Sequence, residues 1–381
     1  MVQTDELSTG ETSAAAAKDA AAPAKPRRRA RRILLITGGT VLALVLAAGG
    51  TGFWMYRHLE GNLDTVDIDK ALGEDRPAPL PDGAQDILVL GSDSRSGDNG
   101  DLAGGDVGGT ARSDTAMVVH IPEGRSNATV VSIPRDTMVA RPACTTADGK
   151  QVAGTPRVMF NSIYTTAGPA CVVKTVESMT GLRMNHYVEI DFAGFKDLVD
   201  AMGGVEVTTD TAIDDKYSGL HLPAGTHLLD GTQALAFVRT RHGVGDGSDL
   251  GRIGLQQKFL LSVLSQLQRK GTLTSPTKAY GVANAATKAL TTDTSLGSLN
   301  GLLDFAQSMK GLQPERMKTV MLPVVTDRID HNRVVADEAK AAALWASLRE
   351  NRPVPSGSPA ASASASPSAS ARSSASASAH N

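Results

Sequence analysis

Between Asp86 and Asp136, three short apolar runs (Ile87–Leu90, Ala116–Ile121 and Thr129–Ile133) are each bordered by aspartate and arginine. Runs of this length rich in Val and Ile read as buried strands. A charge at the end of a buried strand needs a counter-charge, an ion or a substrate, because leaving it desolvated and alone is costly. Asp93 follows Leu90-Gly91-Ser92, where glycine lets the backbone turn off the strand, and Asp114 opens the second run within Arg112-Ser113-Asp114. Two carboxylates at one edge of adjacent strands repel each other unless a cation lies between them. Magnesium suits such a pair, since it takes hard oxygen ligands, needs few protein carboxylates and completes its shell with substrate phosphate. The same aspartates could instead cap turns or pair with Arg95 and Arg112, and the residues alone leave both readings open.

Arginines extend the pattern. Arg112, Arg135, Arg239 and Arg241 each stand where a strand or helix is expected to end, and Arg239-Thr240-Arg241 closes the expected helix Ala234–Val238. A guanidinium fork grips phosphate oxygens in pairs and keeps its charge at any relevant pH. Four such groups with two aspartates suit a pyrophosphate. Any one of them, taken alone, reads as a surface ion pair of little energetic weight.

Upstream, Arg27, Arg28, Arg29, Arg31 and Arg32 precede the apolar run Ile33–Tyr56, which ends with Phe53, Trp54 and Tyr56. A basic cluster beside a span of roughly 20 apolar residues, closed by interfacial aromatics, reads as a single transmembrane helix with its N-terminus in the cytoplasm. A cleavable signal peptide is the competing reading, drawn from the small residues at Leu46–Gly50, and the run is long for one. Residues 1–32 are expected to be a disordered cytoplasmic tail, 33–56 the membrane helix, 57–82 a stalk, 83–352 one folded domain, and 353–381 a disordered tail of Ser, Ala and Pro. Met1–Arg32 holds seven of the 38 basic and four of the 40 acidic residues, which leaves 31 and 36 beyond it, a formal charge of −5. An outer part with that balance has no global positive field for polyanions, so phosphate recognition has to come from a local arginine cluster. The arginine run next to the membrane span could also serve nucleic acid, but its position makes that the weaker reading, and no nucleic-acid partner is expected.

Both cysteines of the chain, Cys144 and Cys171, fall in this outer part. In an oxidising compartment an even pair suggests one disulfide, free buried thiols being the alternative. Within 83–352, apolar runs of strand length alternate with helical patterns. Arg157–Thr166, Cys171–Met179, Phe192–Met202 (capped by Asp191 and stopped by Gly203-Gly204), Gly251–Arg269, Ser275–Leu290, Ser298–Lys310 and Val335–Arg349 are expected as helices. Tyr187–Ile190, Val205–Thr208 and Met317–Leu322 are expected as strands, with His221–Leu222 and His227–Leu228 pairing around Pro223–Gly225 and Asp230 capping a further helix through Phe237. The fold class is therefore α/β: a mixed β-sheet sandwiched between helices, behind an N-terminal transmembrane helix.

Several segments together resemble the LytR-CpsA-Psr family, whose members attach glycopolymers to peptidoglycan. They are G-S-D-S-R (Gly91–Arg95), R-S-D-T (Arg112–Thr115), S-I-P-R-D (Ser132–Asp136), the stretch Asp191–Val207, D-G-T-Q-A-L-A-F-V-R-T-R (Asp230–Arg241) and D-L-G-R-I-G-L-Q-Q (Asp249–Gln257). The resemblance, to the actinobacterial type of this ligase or phosphotransferase, implies that Asp93 and Asp114 hold Mg2+ beside a pyrophosphate. It further implies that Arg112, Arg135, Arg239 and Arg241 grip that pyrophosphate, with Arg252 and Gln256 nearby. The implied substrate is a polyprenyl-pyrophosphate-linked glycopolymer, with peptidoglycan as acceptor and the lipid in an apolar tunnel. The helix from Gly251 to Gln268 is apolar around much of its circumference, which fits a tunnel wall and a core helix equally. Two positions depart from the family: Met159 stands where a lysine is frequent two residues before Asn161, and Leu255 where an arginine is frequent before Gln256-Gln257.

By that resemblance a peptidoglycan hydroxyl attacks the sugar-linked phosphorus, polyprenyl phosphate leaves, and Asp93 or Asp114 takes the proton, Asp93 being favoured. A non-catalytic binder or sensor of the lipid-linked polymer, and a polyprenyl-pyrophosphate pyrophosphatase, are the alternatives. A DNA-binding regulator would need a cytoplasmic module, and the segment before Ile33 is too short and polar for one. The glycine-rich stretch 97–109 faintly resembles a calcium-binding repeat but occurs once, and reads as a lid or inserted loop. His120, His186, His221, His227 and His242 lack ligand spacing. Aromatic residues make up only 4% of the chain, which argues against a sugar-stacking platform. Which glycopolymer is carried, teichoic acid, capsule, arabinogalactan or another, is left open.

Overall fold

A computed structural model describes residues 27–80, 83–92, 113–146, 149–241, 244, 249–268 and 275–355. The chain divides into two compact units, Met1–Met55 and Tyr56–Asn381. In the first, helix α1 (Arg27–Glu60) begins at the arginine cluster, so the backbone from Arg27 to Arg32, expected to be disordered, is helical. At 34 residues it is about 51 Å long. Leu35, Ile36, Val41, Leu42, Leu44, Val45 and Leu46 stand exposed on it, and Leu35–Glu60 is apolar enough over its length to be a candidate membrane span.

The second unit starts earlier than the sequence suggests. Residues 57–82 are expected to be a stalk, yet β1 (Asp64–Val66) and α2 (Ile68–Leu72) belong to the domain. Ile68 and Leu72 join the main core, and Arg76 buries its guanidinium against Glu177, each side chain only 2% exposed, while donating to the Met184 carbonyl at 2.8 Å. A proline-bearing polar stretch hides this role because its anchors are single residues rather than a periodic run.

Next come β2 (Gln85–Ser92), β3 (Ser113–Ile121) and β4 (Thr129–Ile133), matching the three apolar runs. Two side hairpins follow, β5 (Met138–Arg141) with β8 (Thr155–Met159) and, inside it, β6 (Cys144–Thr145) with β7 (Gln151–Val152). Helix α3 (Phe160–Thr180) then runs behind the sheet; Arg157–Met159, expected at the start of a helix, is strand instead. The two helices expected here form one rod with a non-helical break at Gly168 (φ 78°), just before Pro169. That is where proline's missing N–H would interrupt a helix. β9 (His186–Asp191) leads into α4 (Phe192–Met202), whose cap is Asp191 accepting from Gly194 N at 2.7 Å and whose stop is left-handed Gly203.

The middle of the domain pairs differently from expectation. β10 (Val205–Thr209) pairs with β13 (Gly225–Leu229), and β11 (Ile213–Asp215) with β12 (Leu220–Leu222), so β12 and β13 are not partners. Each pairing aligns residues that can be buried together, Val205 with Leu229 and Ile213 with Leu222, and this long-range match outweighs a short turn at Pro223. α5 (Gly231–Arg239) carries a capping box between Asp230 and Gln233. α6 (Asp249–Gln268), α7 (Pro276–Ala289), β14 (Leu290–Asp293), α8 (Leu299–Ser308), β15 (Lys318–Met321), β16 (Val324–Thr326), β17 (Val334–Ala336) and α9 (Glu338–Arg349) complete the chain. Val334–Ala336 is a strand ahead of α9 because Asp337 caps that helix, accepting from Lys340 N at 3.2 Å.

The central sheet has the order β1-β14-β9-β2-β3-β4-β15 and is mixed: β9 is parallel to β2 and β15 to β4, while β3 is antiparallel to both neighbours. Leu88 and Leu90 pack under α3 and α9, while Ile87 and Val89 face the opposite side with Phe305 and Met309. Both faces of the middle strands are thus covered, as expected of an α/β sandwich. α4 and α7 cross closely: a Cβ on Gly194 would come within 2.5 Å of Ala289 Cα, so that crossing requires glycine.

Cys144 and Cys171 form a disulfide with Cα atoms 5.7 Å apart, which fastens the side hairpin to α3. Closing a loop across 27 positions contributes about 3–4 kcal/mol on the chain-entropy account. Asp293 accepts from Tyr187 N at 3.0 Å, Ser295 N at 2.9 Å and His186 Nδ1 at 3.2 Å, and from the Ser295 hydroxyl. Burial by itself would raise its carboxyl, but these donors outweigh it and lower the pKa to about 2.

Two outcomes are expected. Replacing both cysteines with alanine should lower unfolding free energy by about 3–4 kcal/mol in urea titrations, and a loss below about 1 kcal/mol would remove the disulfide from the list of main stabilisers. Because the folded carboxyl is lowered from 3.8 to about 2, the Asp293 contribution is complete above about pH 4 and is lost as pH falls towards 2. Unfolding midpoints measured across that window should fall, and Asp293→Asn should be less stable at neutral pH with a shallower acid slope.

Candidate active site

The C-terminal ends of β2, β9, β4 and β15 and the start of β3 meet at one edge of the sheet, while Asp86 lies at the opposite end of β2, paired with His120. Parallel pairing of β2 with β9 and of β4 with β15 brings their C-terminal ends together, and antiparallel β3 adds its first residues to the same edge. Ligands of open α/β sheets bind outside such carboxyl ends. Gly91 pairs with Thr115 and Ser92 with Ser113, so Asp114 is the extra residue of a β-bulge. A bulge locally re-aims the chain and is common beside active sites. Asp93 and Arg112 lie outside the described residues, as does the 97–109 loop, and Asp114 is placed by its backbone alone.

Beyond β4, the turn at Pro134 sets Arg135. Thr137 donates both its N–H (3.0 Å) and its hydroxyl (2.6 Å) to the Pro134 carbonyl, and the Arg135 carbonyl accepts from Asn161 N at 3.1 Å. Arg135 Nε lies 3.6 Å from Asp136 Oδ2, and Asp136 is itself held by Arg333 at 3.0 Å. Asn161 is only 4% exposed, and its Oδ1 has no hydrogen-bond partner among the described residues. Met159 sits at the N-cap of α3.

The other arginines converge. Arg239, Arg241, Arg252 and Gln256 line one cavity of about 290 Å³, whose wall continues with Thr115, Phe192 and Val238. Arg239 and Arg241 reach it together because Thr240, between them, is turned inward and donates to the Ala236 carbonyl at 2.8 Å. The Arg239 guanidinium also lies 5.0 Å from the centre of the Phe192 ring. Arg252 and Gln256 are one helical turn apart on α6, hence on one face. Gln256 donates to the Thr115 hydroxyl at 2.9 Å and to the Val238 carbonyl at 3.1 Å. Gln257 points elsewhere and clips α6 to the sheet through Ser132 Oγ (2.9 Å) and the Val320 carbonyl (3.1 Å). Leu255, where the family often has arginine, is buried in the core formed with Phe259.

Three residues at this cavity lie outside every motif read in the sequence: Asp215, Tyr217 and Ser218. Asp215 is 1% exposed and accepts from Arg241 N at 3.0 Å and Tyr217 N at 2.9 Å, so a buried carboxylate sets the backbone of an arginine. Its only sequence signal is the pair Asp214-Asp215 ahead of a Tyr-Ser-Gly turn, which is too common to single out. Beneath the edge, Glu189 accepts from Tyr164 at 2.6 Å and from Tyr187 at 2.5 Å, and Tyr164 also bonds Ser92. Burial first, and then the Glu189 charge, raise both phenols above their ordinary value, so they stay protonated as donors.

Of the histidines, His120 bridges Asp86 (2.8 Å) and Asn351 (2.9 Å), His186 pairs with Asp293, His221 with Asp214, and His227 with the Pro223 carbonyl. His242 lies outside the described residues. No group of three or more His, Cys, Asp or Glu that could hold a metal occurs among the described residues. The sequence supplies hard oxygen donors for this edge: an aspartate as the residue type at the bulge, and Asn161, whose Oδ1 has no hydrogen-bond partner among the described residues. Such donors fit Mg2+, which binds through one or two carboxylates together with substrate phosphate.

Known proteins share this architecture. LcpA of Corynebacterium glutamicum, a cell wall biosynthesis protein, is 34% identical over 269 residues, which are 64% of this chain and 51% of LcpA. The chain thus spans about half the length of that relative. TagU of Enterococcus faecalis, a polyisoprenyl-teichoic acid–peptidoglycan teichoic acid transferase, is 28% identical over 307 residues, 79% of this chain and 91% of TagU. The solved structure of a LytR-Csp2A-Psr enzyme from Actinomyces oris has the same fold, with a TM-score of 0.55 at 24% identity, covering 75% of this chain and 96% of that one. The LytR_cpsA_psr family model matches residues 55–350, the whole of the sheet and its covering helices, and the chain belongs to that family.

Proposed function

We propose that this protein is a phosphotransferase that moves a glycopolymer from a polyprenyl-pyrophosphate carrier to a hydroxyl of peptidoglycan. The observation that carries the reading is the convergence of Arg239, Arg241, Arg252 and Gln256 on one cavity beside the bulge at Asp114. Three guanidiniums on one small cavity are stabilised best by an anion of several charges, and a pyrophosphate is such an anion. Arg135 and Arg112 would add to that field from the ends of β4 and β3. The relatives named as cell wall biosynthesis proteins and teichoic acid transferases support the same direction.

In this reading the acceptor oxygen bonds to the sugar-linked phosphorus, the bond to the bridging oxygen breaks, and polyprenyl phosphate leaves. The product is a phosphodiester between glycopolymer and peptidoglycan. Asp93 and Asp114 would hold Mg2+, which when bound neutralises phosphate charge and makes polyprenyl phosphate a better leaving group. Asp93 also takes the acceptor proton. Arg239 and Arg241 stabilise charge on the departing oxygens, and Gln256, held by Thr115 and Val238, fixes the side of the cavity next to the sheet. The half-buried Leu260, Leu261 and Leu264 of α6 offer apolar surface for a prenyl chain. The helix α1 would anchor the protein with the arginine cluster in the cytoplasm and the domain outside, a placement that suits the disulfide.

Transfer by the purified full chain in detergent, with a lipid-linked donor and peptidoglycan acceptor, tests the reading. Arg135→Ala and Arg239→Ala should each lower transfer by about 10²–10³-fold, and chelation should abolish it until Mg2+ is restored. Wild-type-like transfer by both variants would sink the assignment. Phosphate release without any acceptor would mark a pyrophosphatase, and tight donor binding without product a tether or sensor.

A further inference from the structure

Glu189 is a carboxylate set in the main core, with two phenols as its partners. It lies in β9, in register with buried Leu90 of β2 and two positions from the buried ring of Tyr187. Taking a carboxylate out of water costs more than placing an apolar side chain there, and two neutral donors offset only part of that cost. A leucine between two phenylalanines would fill the same space with nothing to desolvate, so stability does not account for the arrangement.

The hydrogen bonds lead from the core to the edge of the sheet. Tyr164, on α3, donates its single proton to Glu189 Oε1 at 2.6 Å, and Tyr187 donates to Oε2 at 2.5 Å. With that proton committed, the Tyr164 oxygen accepts from the Ser92 hydroxyl. Ser92 is wholly buried at the end of β2, and its backbone stands between Ser113 of β3 and Asp191 of β9. The Ser92–Ser113 pair is one shoulder of the bulge, the Gly91–Thr115 pair is the other, and Asp114 comes between them. The second shoulder is tied by Gln256, which donates to the Thr115 hydroxyl at 2.9 Å. A bulge leaves its extra residue outside the ladder, so that residue is only as fixed as the pairs on either side of it.

We propose that Tyr164, anchored by Glu189, is a positioning residue for Asp114: through Ser92 it fixes one shoulder of the bulge that carries this metal ligand. The proposal rests on the reading of Asp114 as a Mg2+ ligand and extends it to side chains that never touch the ion. Tyr187 has a different duty, as the second donor that makes the Glu189 charge tolerable, outside the line to Ser92.

Binding of Mn2+, in place of Mg2+, to the full chain in detergent micelles tests this without any turnover, read by loss of the free-ion electron paramagnetic resonance signal. Wild type should bind the ion and Asp114→Ala should lose it. Tyr164→Phe and Ser92→Ala should each weaken binding by about tenfold, as removal of a partner behind a metal ligand does. Tyr187→Phe should keep the wild-type affinity. Both phenol variants take one donor from Glu189, so their melting temperatures should fall alike, whereas Ser92→Ala keeps both phenol bonds and should melt close to wild type. Equal weakening of Mn2+ binding by the two phenol variants marks a merely structural cluster and overturns the positioning role. So does wild-type affinity in both Tyr164→Phe and Ser92→Ala, and in either case the metal reading stands. Absence of Mn2+ binding by wild type, or undiminished binding by Asp114→Ala, overturns the metal reading and the positioning role with it.

Discussion

The cavity exists because β2 is apolar on both faces. Leu88 and Leu90 demand cover from α3 and α9, and Ile87 and Val89 demand it from the opposite side, so the strand must lie in the middle of a sandwich. A strand so placed can show polar groups only at its ends. Parallel pairing with β9 and antiparallel pairing with β3 then bring the Gly91-Ser92 end beside the start of β3. Charges that would be ruinous within the layers are tolerated at that edge, where water and ligand can reach them. The chemistry sits at the edge for the same reason that the core excludes it.

A second group of contacts holds the arginines in place. α6 is fastened to the sheet by adjacent amides that point opposite ways, Gln256 to Thr115 and Gln257 to Ser132 and Val320. Asp215 sets the backbone of Arg241, and Thr240 fills the space beneath the arginine pair. Long cations lose much rotamer freedom when they grip a ligand, and a frame that fixes their roots reduces that loss. Membership of the LytR_cpsA_psr family and the arginine cavity are thus consistent with one another: the family pattern supplies the residues, and the packing gives them a common target.

Much of this was legible because it depends on neighbours in sequence. The three strands, the caps at Asp191 and Asp230 and the stop at Gly203 follow from local sterics and hydrogen bonding. The joint use of Arg239 and Arg241 also followed, because an alternation across Thr240 is a local property of the helix end. What misled was equally local. Residues 57–82 look like a stalk because nothing in their pattern announces that Arg76 will meet Glu177, and Pro223–Gly225 looks like a hairpin turn because the rival partners, Val205 and Leu229, lie 24 positions apart.

The sequence by itself determined the layer type, the apolar helix ahead of the domain and the set of charged residues, since each rests on periodicity, composition or a motif of contiguous residues; it suggested the Cys144–Cys171 disulfide, and the structure decided it against free thiols. The family resemblance already grouped Arg252 and Gln256 with Arg239 and Arg241, and tertiary structure decided that the four line one cavity, that Asp114 falls at a bulge, and that Tyr217 stands exposed at the cavity mouth. Register and helix docking are set by the sum of many contacts between distant residues, and no single stretch of chain carries that sum.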